Sequence, residues 1–580
     1  MSTIETYFIG LATTYHDPAL AIVDARGDVI FAEASERHLQ SKRAILYPPD
    51  NFDYISEILK TYCNPKAHFV IAGTWSRKIQ MILAFFDFFG FFSKERIRDL
   101  PQRGISRLLI DHDEARGIQA AQLSSSRNFG VGIASRLKID FGNSNVRFEY
   151  FPHHLTHAAN GCFSSPFDHA SCLVVDGFGE LGAFAGFRYK NQKLNCVFSE
   201  KSHASLGFFY VMLTTLCGFS HIHGEEWKVM GLAPYGTLNK DIYSIFAQMM
   251  HVEDLRLKYA PLKKLRFLYQ KLQPFSRKSE QLPLAAADLA CTGQKFFADI
   301  MLEIIQSFYA TAPSENLVLS GGCALNSAFN GKILNQVPFK NLHIPSAPAD
   351  DGNALGAAWL ACQRYSTQFK REQKIQHPYL GSKVKSHALE NFQNYSNAKV
   401  SKPDNLCSVV SQFLAEGKIV GWVQGRAEFG PRSLGNRSIL ADPRSFAMKD
   451  RINARVKFRE EFRPFAPSIL HEFGPEYFEN YQASPYMDRT LVFRQEILHK
   501  VAAVAHFDFT GRLQSVTREW NERYYDLIKA FYDLTGVPIL LNTSFNVMGK
   551  PIVHSVEDAL SVFYTTGLDI LVIEDFMVIK

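Results

Sequence analysis

Two histidines with the spacing of metal ligands stand in the segment PHHLTHAA. His153 and His157 are four residues apart, which places both imidazoles on one face of a helix, about one turn apart. Asp176 ends the strand-like segment CLVVD that follows, and Asp350 and Asp351 lie in the loop SAPADDGNALGAA. Two imidazoles and two carboxylates form a mixed nitrogen and oxygen ligand set that suits Fe, Mn or Zn. The pattern predicts a metal site, although the sequence leaves open which of Asp350 and Asp351 is the ligand.

A pair of glycines follows an apolar strand in LVLSGGCALNSAFN. Gly321 and Gly322 permit a close approach of the backbone to a ligand, and the start of the next helix favours negative charge. An ordinary β–α turn would explain one such pair. Further glycine-rich turns in DGFGE and DDGNALG favour a nucleotide cleft.

Basic residues gather in a second region of the chain. The segment GRAEFGPRSLGNRS carries Arg426, Arg432 and Arg437 among glycines, and more cations follow after Asp450. They are Arg451, Arg455, Lys457, Arg459 and Arg463. Guanidinium groups bind phosphate oxygens in pairs, so the cluster predicts a phosphate-binding pocket. Few aromatic residues lie among these cations, which favours a small phosphorylated substrate over nucleic acid.

Two further segments carry polar groups whose role the sequence alone does not decide. In LLNTSFN, Ser544 and Asn546 follow a strand and are suited to phosphate oxygens or a planar amide. In GEEWKVMGLAPYG, Glu226 and Lys228 precede a Gly-Leu-Ala-Pro turn. These two charges are either solvated or part of a substrate site.

The composition is that of a folded globular chain of more than one domain. Among 580 residues, 46% are hydrophobic and 21% charged, and 63 basic against 57 acidic residues give a net charge of +6. This dispersed charge argues against a nucleic-acid surface. Nine scattered cysteines without a C-x-x-C pair, and an N-terminus without a signal peptide, predict a cytoplasmic protein. The apolar segment 79–92 is too short to span a membrane and predicts a buried helix or an apolar flap.

The elements that position these residues form two similar patterns. Residues 6–34 and 171–199 each predict a β-meander, with Asp24 and Asp176 at the ends of apolar runs. They indicate either a duplicated α/β core of the actin-like type or two unrelated meanders. Polar residues over 366–404 predict a linker between a domain at 1–365 and a second α/β domain at 405–580.

Taken together, these segments resemble the O-carbamoyltransferases that modify antibiotics and nodulation factors. The similarity covers nearly the whole chain and includes YHDPALAIVD, HHLTHAANGCF, LVVDGFGE, KVMGLAPYG, LSGGCALN, EFGPRSLGNRSILADPR and KFREEFRPFAPS. The resemblance implies a first domain related to the threonylcarbamoyl-transferring enzymes and a YrdC-like second domain. It also implies a two-step reaction, in which carbamoyl phosphate and ATP form carbamoyl-adenylate and the carbamoyl group then passes to a hydroxyl.

The resemblance also assigns residues. It implies that iron(II), or another divalent metal, is held by His153, His157, Asp176 and Asp350. The nucleotide cleft of the first domain would contain Gly321, Gly322 and Asn326. The pocket for carbamoyl phosphate and ATP would contain Lys457, Arg459, Arg463, Arg432, Arg512, Ser544 and Asn546, with Lys457 and Arg463 catalytic. His16, in the YHDPA turn, is either the base that deprotonates the acceptor hydroxyl or a structural histidine. Glu226 and Lys228 would contact substrate.

The function that the resemblance implies has three alternatives. The expected acceptor is a small-molecule natural product, without nucleic acid or membrane as partners, and a homodimer is the expected assembly. A carbamoyl or threonylcarbamoyl transferase acting on a macromolecule would need a strongly basic face. A catalytically silent nucleotide-binding protein would not need an intact second cationic pocket. A sugar kinase would leave residues 405–580 without a role.

Overall fold

The first half of the N-terminal region is a five-stranded sheet. The computed structural model describes residues 5–88, 112–180, 182–395 and 399–580. The strand order is β3-β2-β1-β4-β5, with an antiparallel β1-β2-β3 meander and parallel β4 and β5. The strands are β1 (Thr6–Ala12), β2 (Ala19–Val23), β3 (Val29–Ala34), β4 (His68–Gly73) and β5 (Val146–Tyr150).

The second half repeats this arrangement. The sheet order is β8-β7-β6-β11-β12, again an antiparallel meander followed by two parallel strands. Its strands are β6 (His169–Val175), β7 (Phe184–Lys190), β8 (Lys193–Ser199), β11 (Asn316–Ser320) and β12 (Asn341–His343), with a separate hairpin of β9 (Met250–Glu253) and β10 (Arg256–Tyr259). Two sheets with the same order and the same strand directions confirm the duplicated α/β core expected of an actin-like domain.

Asp24 and Asp176, which both follow apolar runs, do not occupy equivalent positions in the two halves. The repeat pairs β1 with β6, so the residue equivalent to Asp176 is Thr13 and not Asp24. Asp24 instead ends β2, where its carboxylate accepts hydrogen bonds from the backbone N–H groups of Arg26 and Asp28. The carboxylate of Asp24 therefore closes a turn.

Helices cover both faces of the two sheets, as the continuous burial of β1, β2 and β11 requires. They are α1 (Ser35–Leu39), α2 (Phe52–Tyr62), α3 (Arg77–Phe88), α4 (His112–Asn128), α5 (Val131–Phe141), α6 (His153–Phe163), α7 (Leu206–Leu216), α8 (Glu226–Leu232), α9 (Lys240–Met249), α10 (Leu262–Leu272), α11 (Ala287–Thr311), α12 (Ser327–Asn330) and α13 (Asn353–Tyr365). The segment 79–92 is helical as far as Phe88, with Met81 exposed, and its remainder lies outside the described residues. No helix in the described ranges has the length and apolar content needed to cross a bilayer.

The C-terminal region is built on an eight-stranded mixed sheet of order β14-β24-β23-β15-β17-β22-β18-β21. Its strands are β13 (Tyr379–Lys383), β14 (Lys399–Ser401), β15 (Val420–Val423), β16 (Arg426–Glu428), β17 (Arg437–Ala441), β18 (Ala466–Leu470), β19 (Leu491–Val492), β20 (Thr510–Gly511), β21 (Gln514–Val516), β22 (Ile539–Ser544), β23 (Ile570–Ile573) and β24 (Phe576–Ile579), of which β13 pairs with β16 and β19 with β20. Its helices are α14 (Ser386–Tyr395), α15 (Leu406–Ala415), α16 (Phe446–Ile452), α17 (Gly474–Tyr477), α18 (Glu522–Thr535) and α19 (Val556–Thr565).

The predicted linker 366–404 is largely folded. Within it, β13 pairs with β16, β14 pairs with β24, and Leu389 of α14 is buried in the C-terminal core. These pairings make it part of the C-terminal sheet system and not a free connection. The division of the chain at this segment stays a proposal, as does the likeness of the C-terminal domain to the YrdC fold.

Candidate functional site

The four predicted metal ligands meet in one buried group of side chains, which we call the metal cluster. One ligand atom from each of His153, His157, Asp176 and Asp350 lies within 4.8 Å of the others. His153 Nε2 is 3.1 Å from Asp176 Oδ2, and His157 Nε2 is 3.2 Å from Asp350 Oδ1. Asp351 is not part of this group, and its Oδ1 accepts a hydrogen bond from the Gly352 N–H. The geometry therefore favours Asp350 over Asp351 as the fourth ligand.

Both halves of the duplicated core contribute to this metal cluster. His153 and His157 lie in the first turns of α6, Asp176 follows β6, and Asp350 begins a single turn that leads into α13. Helices α6 and α13 approach so closely at Gly356 that a Cβ there would lie 1.9 Å from the Thr156 carbonyl oxygen. This close approach sets the distance between the histidines and Asp350.

The donor set of the metal cluster fits a divalent cation. Two carboxylates face two imidazole Nε2 atoms, and all four residues are at least nine-tenths buried. Although burial lowers the pKa of a histidine, hydrogen bonds that His157 donates to Asp176 and Asp350 raise its pKa to about 9. The two buried carboxylates are negatively charged, and a bound cation would neutralise them. Together with the two imidazoles they form a ligand set that suits Fe, Mn or Zn. Asn353, which the sequence analysis missed, lies beside them with Nδ2 2.9 Å from His157 Nε2.

His16 lies at the edge of the metal cluster, held by a neighbouring carboxylate. Its Nδ1 is 2.8 Å from Asp17 Oδ2 and 3.9 Å from Asp350 Oδ2. Arg43 in turn donates to Asp17 Oδ2 over 3.1 Å. Burial alone would raise the pKa of Asp17, but Arg43 and His16 outweigh it and hold that pKa below its usual range. Asp17 and Arg43 were missed because nothing in the sequence brings residue 43 back to residue 17.

The predicted glycines adjoin the metal cluster, whereas Asn326 does not contact it. The Gly322 N–H donates to Asp176 Oδ1 over 3.1 Å, and Gly321 has a φ of +92° beneath the Val175 backbone. The Asn326 side chain exchanges hydrogen bonds with Gln294 and accepts one from the Phe329 N–H. Its amide is thus occupied in capping α12.

A second cluster lies in the C-terminal domain. We call it the cationic pocket and define it by residues that interact electrostatically with one another: Lys457, Arg459, Arg463, Arg432 and Arg512. Of the residues that the structure describes, only Glu460 forms an ion pair with a member, at 3.1 Å from Arg463 Nη1. Burial lowers the pKa of Arg432 and of Arg463 to about 10. Because arginine stays protonated in proteins, this pocket retains positive charge that an anion would neutralise.

Lys457 is fixed by the predicted polar segment after β22. Its Nζ donates to the Ser544 carbonyl oxygen over 2.6 Å and to Asn546 Oδ1 over 2.6 Å. Lys457 ends a π-helix (Asn453–Lys457), a rare conformation that occurs often at functional sites. Burial, followed by the charges of Arg459 and Arg463, holds the pKa of Lys457 well below its usual range.

The two residues expected to contact substrate lie at either side of α8. Burial raises the pKa of Glu226, while the nearby charges of Arg43, His221 and His16 oppose that rise. Lys228 points instead towards the C-terminal domain, where its Nζ lies 3.0 Å from Glu460 Oε1. Trp227 between them was not singled out by the sequence analysis, and its ring packs on Arg463.

Comparison with known proteins supports a single family for both regions. The models for "Carbamoyltransferase N-terminus" and "Carbamoyltransferase C-terminus" match residues 7–359 and 411–580. An uncharacterized protein of Synechocystis, sll1178, is 31% identical over 99% of this chain and 97% of its own length. Nodulation protein NolO of Bradyrhizobium diazoefficiens is 36% identical over 74% of this chain and 78% of its own length.

Solved structures match this chain only weakly. The (R)-2-hydroxyglutaryl-CoA dehydratase component A of Acidaminococcus fermentans has a TM-score of 0.35 at 12% identity, and covers 62% of this chain and 98% of its own. HypF of T. kodakarensis has a TM-score of 0.30 at 12% identity, and covers 64% of this chain and 50% of its own. The assignment therefore depends on the two family models, which together match most of the sequence. This chain is a transferase enzyme that belongs to the carbamoyltransferase family.

Proposed function

We propose that this enzyme is an ATP-dependent O-carbamoyltransferase with two separate reaction sites. Carbamoyl phosphate and ATP form carbamoyl-adenylate in the cationic pocket, and the carbamoyl group then passes to the hydroxyl of a small molecule beside the metal cluster. The observation that carries the proposal is the cationic pocket, in which one carboxylate faces five cations. A small molecule with several phosphate groups is the ligand that such a pocket fits.

The first step needs anion stabilisation above all. Water releases phosphate from carbamoyl phosphate and leaves carbamate, whose oxygen attacks the α-phosphate of ATP and expels pyrophosphate. Negative charge builds up on phosphate, carbamate and pyrophosphate in turn. Arg459 and Arg463 stabilise this charge without reorganising, because hydrogen bonds to Asn453 and Glu460 already hold their guanidinium groups.

The second step needs a base that takes the hydroxyl proton and a site that holds the leaving group. The acceptor hydroxyl attacks the carbamoyl carbon, its proton goes to His16, and AMP leaves. Asp17 accepts from Nδ1 of His16, which leaves Nε2 free to take the proton, an arrangement typical of histidine bases. His153, His157, Asp176 and Asp350 would hold iron(II) or another divalent metal, which supplies Lewis-acid chemistry when bound. Gly322, without a Cβ, leaves room for the adenylate beside Asp176.

The partners we propose are small molecules. The acceptor is a hydroxyl-bearing natural product, and neither nucleic acid nor a membrane takes part. A homodimer and a cytoplasmic location remain predictions from the sequence.

The proposal is tested by incubating the purified protein with ATP, carbamoyl phosphate and iron(II), without acceptor, and measuring carbamoyl-adenylate and pyrophosphate by mass spectrometry. We expect both products from the wild type and at least a hundredfold lower rate from Lys457→Met, since a charged hydrogen-bond donor is lost. Lys529→Met, which removes an exposed lysine of α18, is the matched control and should keep the wild-type rate. If the folded wild type made neither product, a silent nucleotide-binding protein would become the better description.

A further inference from the structure

The basic segment of the cationic pocket is seated on the N-terminal domain. Phe462, between Arg459 and Arg463, is buried in the largest apolar core of the N-terminal domain. The hydroxyl of Tyr235 donates to the Phe462 carbonyl oxygen over 3.4 Å, and Phe462 and Pro464 lie against Gly231 of α8. Residues of one domain thus set the backbone position of arginines that belong to the other.

Trp227 of α8 contacts the guanidinium of Arg463 directly. Arg463 Cζ lies 3.8 Å from the centre of the indole ring, within the distance of a strong cation–π interaction. Arg463 is 8% exposed, and its Nε is buried without a hydrogen-bond partner in the described chain. The indole face therefore replaces hydrogen bonds that this guanidinium does not make.

A charge bridge holds Arg463 from a second side. Glu460 Oε2 lies 3.1 Å from Arg463 Nη1, while Glu460 Oε1 lies 3.0 Å from Lys228 Nζ of α8. Lys228 is anchored in turn by Glu225, 2.7 Å away. Trp227 thus fixes the plane of the Arg463 guanidinium, and Lys228 fixes one edge of it through Glu460. Its Nη2 makes no hydrogen bond among the described residues and stays available to an anion.

We infer that Trp227 is a positioning residue for the adenylate-forming step, acting through Arg463 although it lies in the other domain. The inference rests on the proposed function and extends it, since the cationic pocket is then complete only when α8 is docked against it. Stacking fixes the guanidinium plane before the anion arrives. Less of the binding free energy is then lost in ordering a long side chain.

Steady-state kinetics of pyrophosphate release tests this inference. For Trp227→Leu we expect KM for carbamoyl phosphate to rise about tenfold, the size of a lost cation–π contact, with kcat changed less. Trp227→Phe keeps an aromatic face and should stay within about threefold of the wild type. Trp520→Leu, which removes a tryptophan that packs on Tyr486, is the matched control and should not change KM.

Two further measurements separate positioning from general damage. A double variant of Trp227→Leu with Arg463→Lys should be little worse than Arg463→Lys alone, because both changes act on one group. Titration with inorganic phosphate should change the tryptophan fluorescence of the wild type and leave that of Trp227→Phe unchanged.

The outcomes also distinguish this inference from the proposed function. Wild-type protein that forms no pyrophosphate would refute the proposed function. Wild-type activity with an unchanged KM in Trp227→Leu, or additive losses in the double variant, would overturn the role of Trp227 alone. If Trp227→Leu did not fold, Trp227→Phe with KM raised as far as tenfold would contradict the stacking account.

Discussion

At the scale of single residues, the proposed metal site depends on each of its side chains. Four side chains from three separate segments bring their ligand atoms within 4.8 Å, and two of them are carboxylates that repel one another without a cation. The cluster is buried, so water does little to screen that repulsion. Each ligand should therefore contribute to metal affinity, and removal of one should be measurable without any knowledge of the acceptor.

At this scale we predict that His153→Ala loses most of its bound metal. One of four ligands is gone, so the iron or zinc content after equilibration with a chelator should fall at least tenfold, as measured by elemental analysis. His169→Ala removes an exposed histidine and should retain the wild-type content. Equal metal content in the two variants would mean that His153 is not a ligand.

At the scale of elements, a glycine permits the close packing of α6, which carries His153 and His157, against α13, which follows Asp350. The Cβ of an alanine at position 356 would meet the Thr156 carbonyl oxygen at 1.9 Å, which backbone atoms cannot accommodate without moving α13 away from α6. We predict that Gly356→Ala lowers the melting temperature and the metal content together, at a cost of about 1–3 kcal/mol or more.

The control for this prediction is Gly117→Ala in α4. An added Cβ there has no atom within 4 Å, so the substitution should leave stability equal or slightly higher. Calorimetry and elemental analysis of both variants measure the difference. A Gly356→Ala protein as stable as the wild type would show that the helices do not depend on this contact.

The secondary-structure elements also show how much of the fold and of the site could be predicted from the sequence. The meanders, the metal-ligand spacing and the glycine turns are local patterns. They therefore predicted the strands, the helix that begins at His153, and the strand ends after which Asp176 and Gly322 lie. Contacts between distant segments leave no such local pattern. The contact of Arg43 with Asp17, the packing of Trp227 on Arg463 and the π-helix that ends at Lys457 all depend on tertiary packing. Within the described residues of the polar segment 366–404, β14 forms because β24 of the C-terminal sheet pairs with it.

At the scale of the whole molecule, titratable groups join the two domains. Glu33 of β3 accepts a hydrogen bond from Tyr54 and lies 3.3 Å from Nε2 of His554 in the C-terminal domain. The His38 ring stacks on Tyr54 with centroids 4.0 Å apart. Burial, and then the charge of His554, lower the pKa of His38 to about 4. His38 is therefore neutral in the folded protein near pH 5.

We predict that this histidine makes the folded protein sensitive to mild acid. Between its ordinary pKa of 6.5 and about 4, the unfolded chain binds a proton that the folded chain does not, so stability falls as the pH falls through this range. His38→Phe keeps the ring stack and removes the proton site. Its melting temperature should fall less than that of the wild type between pH 7 and pH 5, and an identical fall in both proteins would refute the prediction.

The two separate reaction sites that we propose concern the whole molecule, and one measurement tests them most directly. Arg459→Ala, His157→Ala and wild-type protein are incubated with ATP, carbamoyl phosphate and iron(II), and carbamoyl-adenylate and pyrophosphate are followed by mass spectrometry. Arg459 belongs to the cationic pocket and His157 to the metal cluster. The account predicts that Arg459→Ala forms neither product whereas His157→Ala forms both at close to the wild-type rate. Loss of both products in a folded His157→Ala protein would contradict it, because the metal cluster would then be needed for the first step.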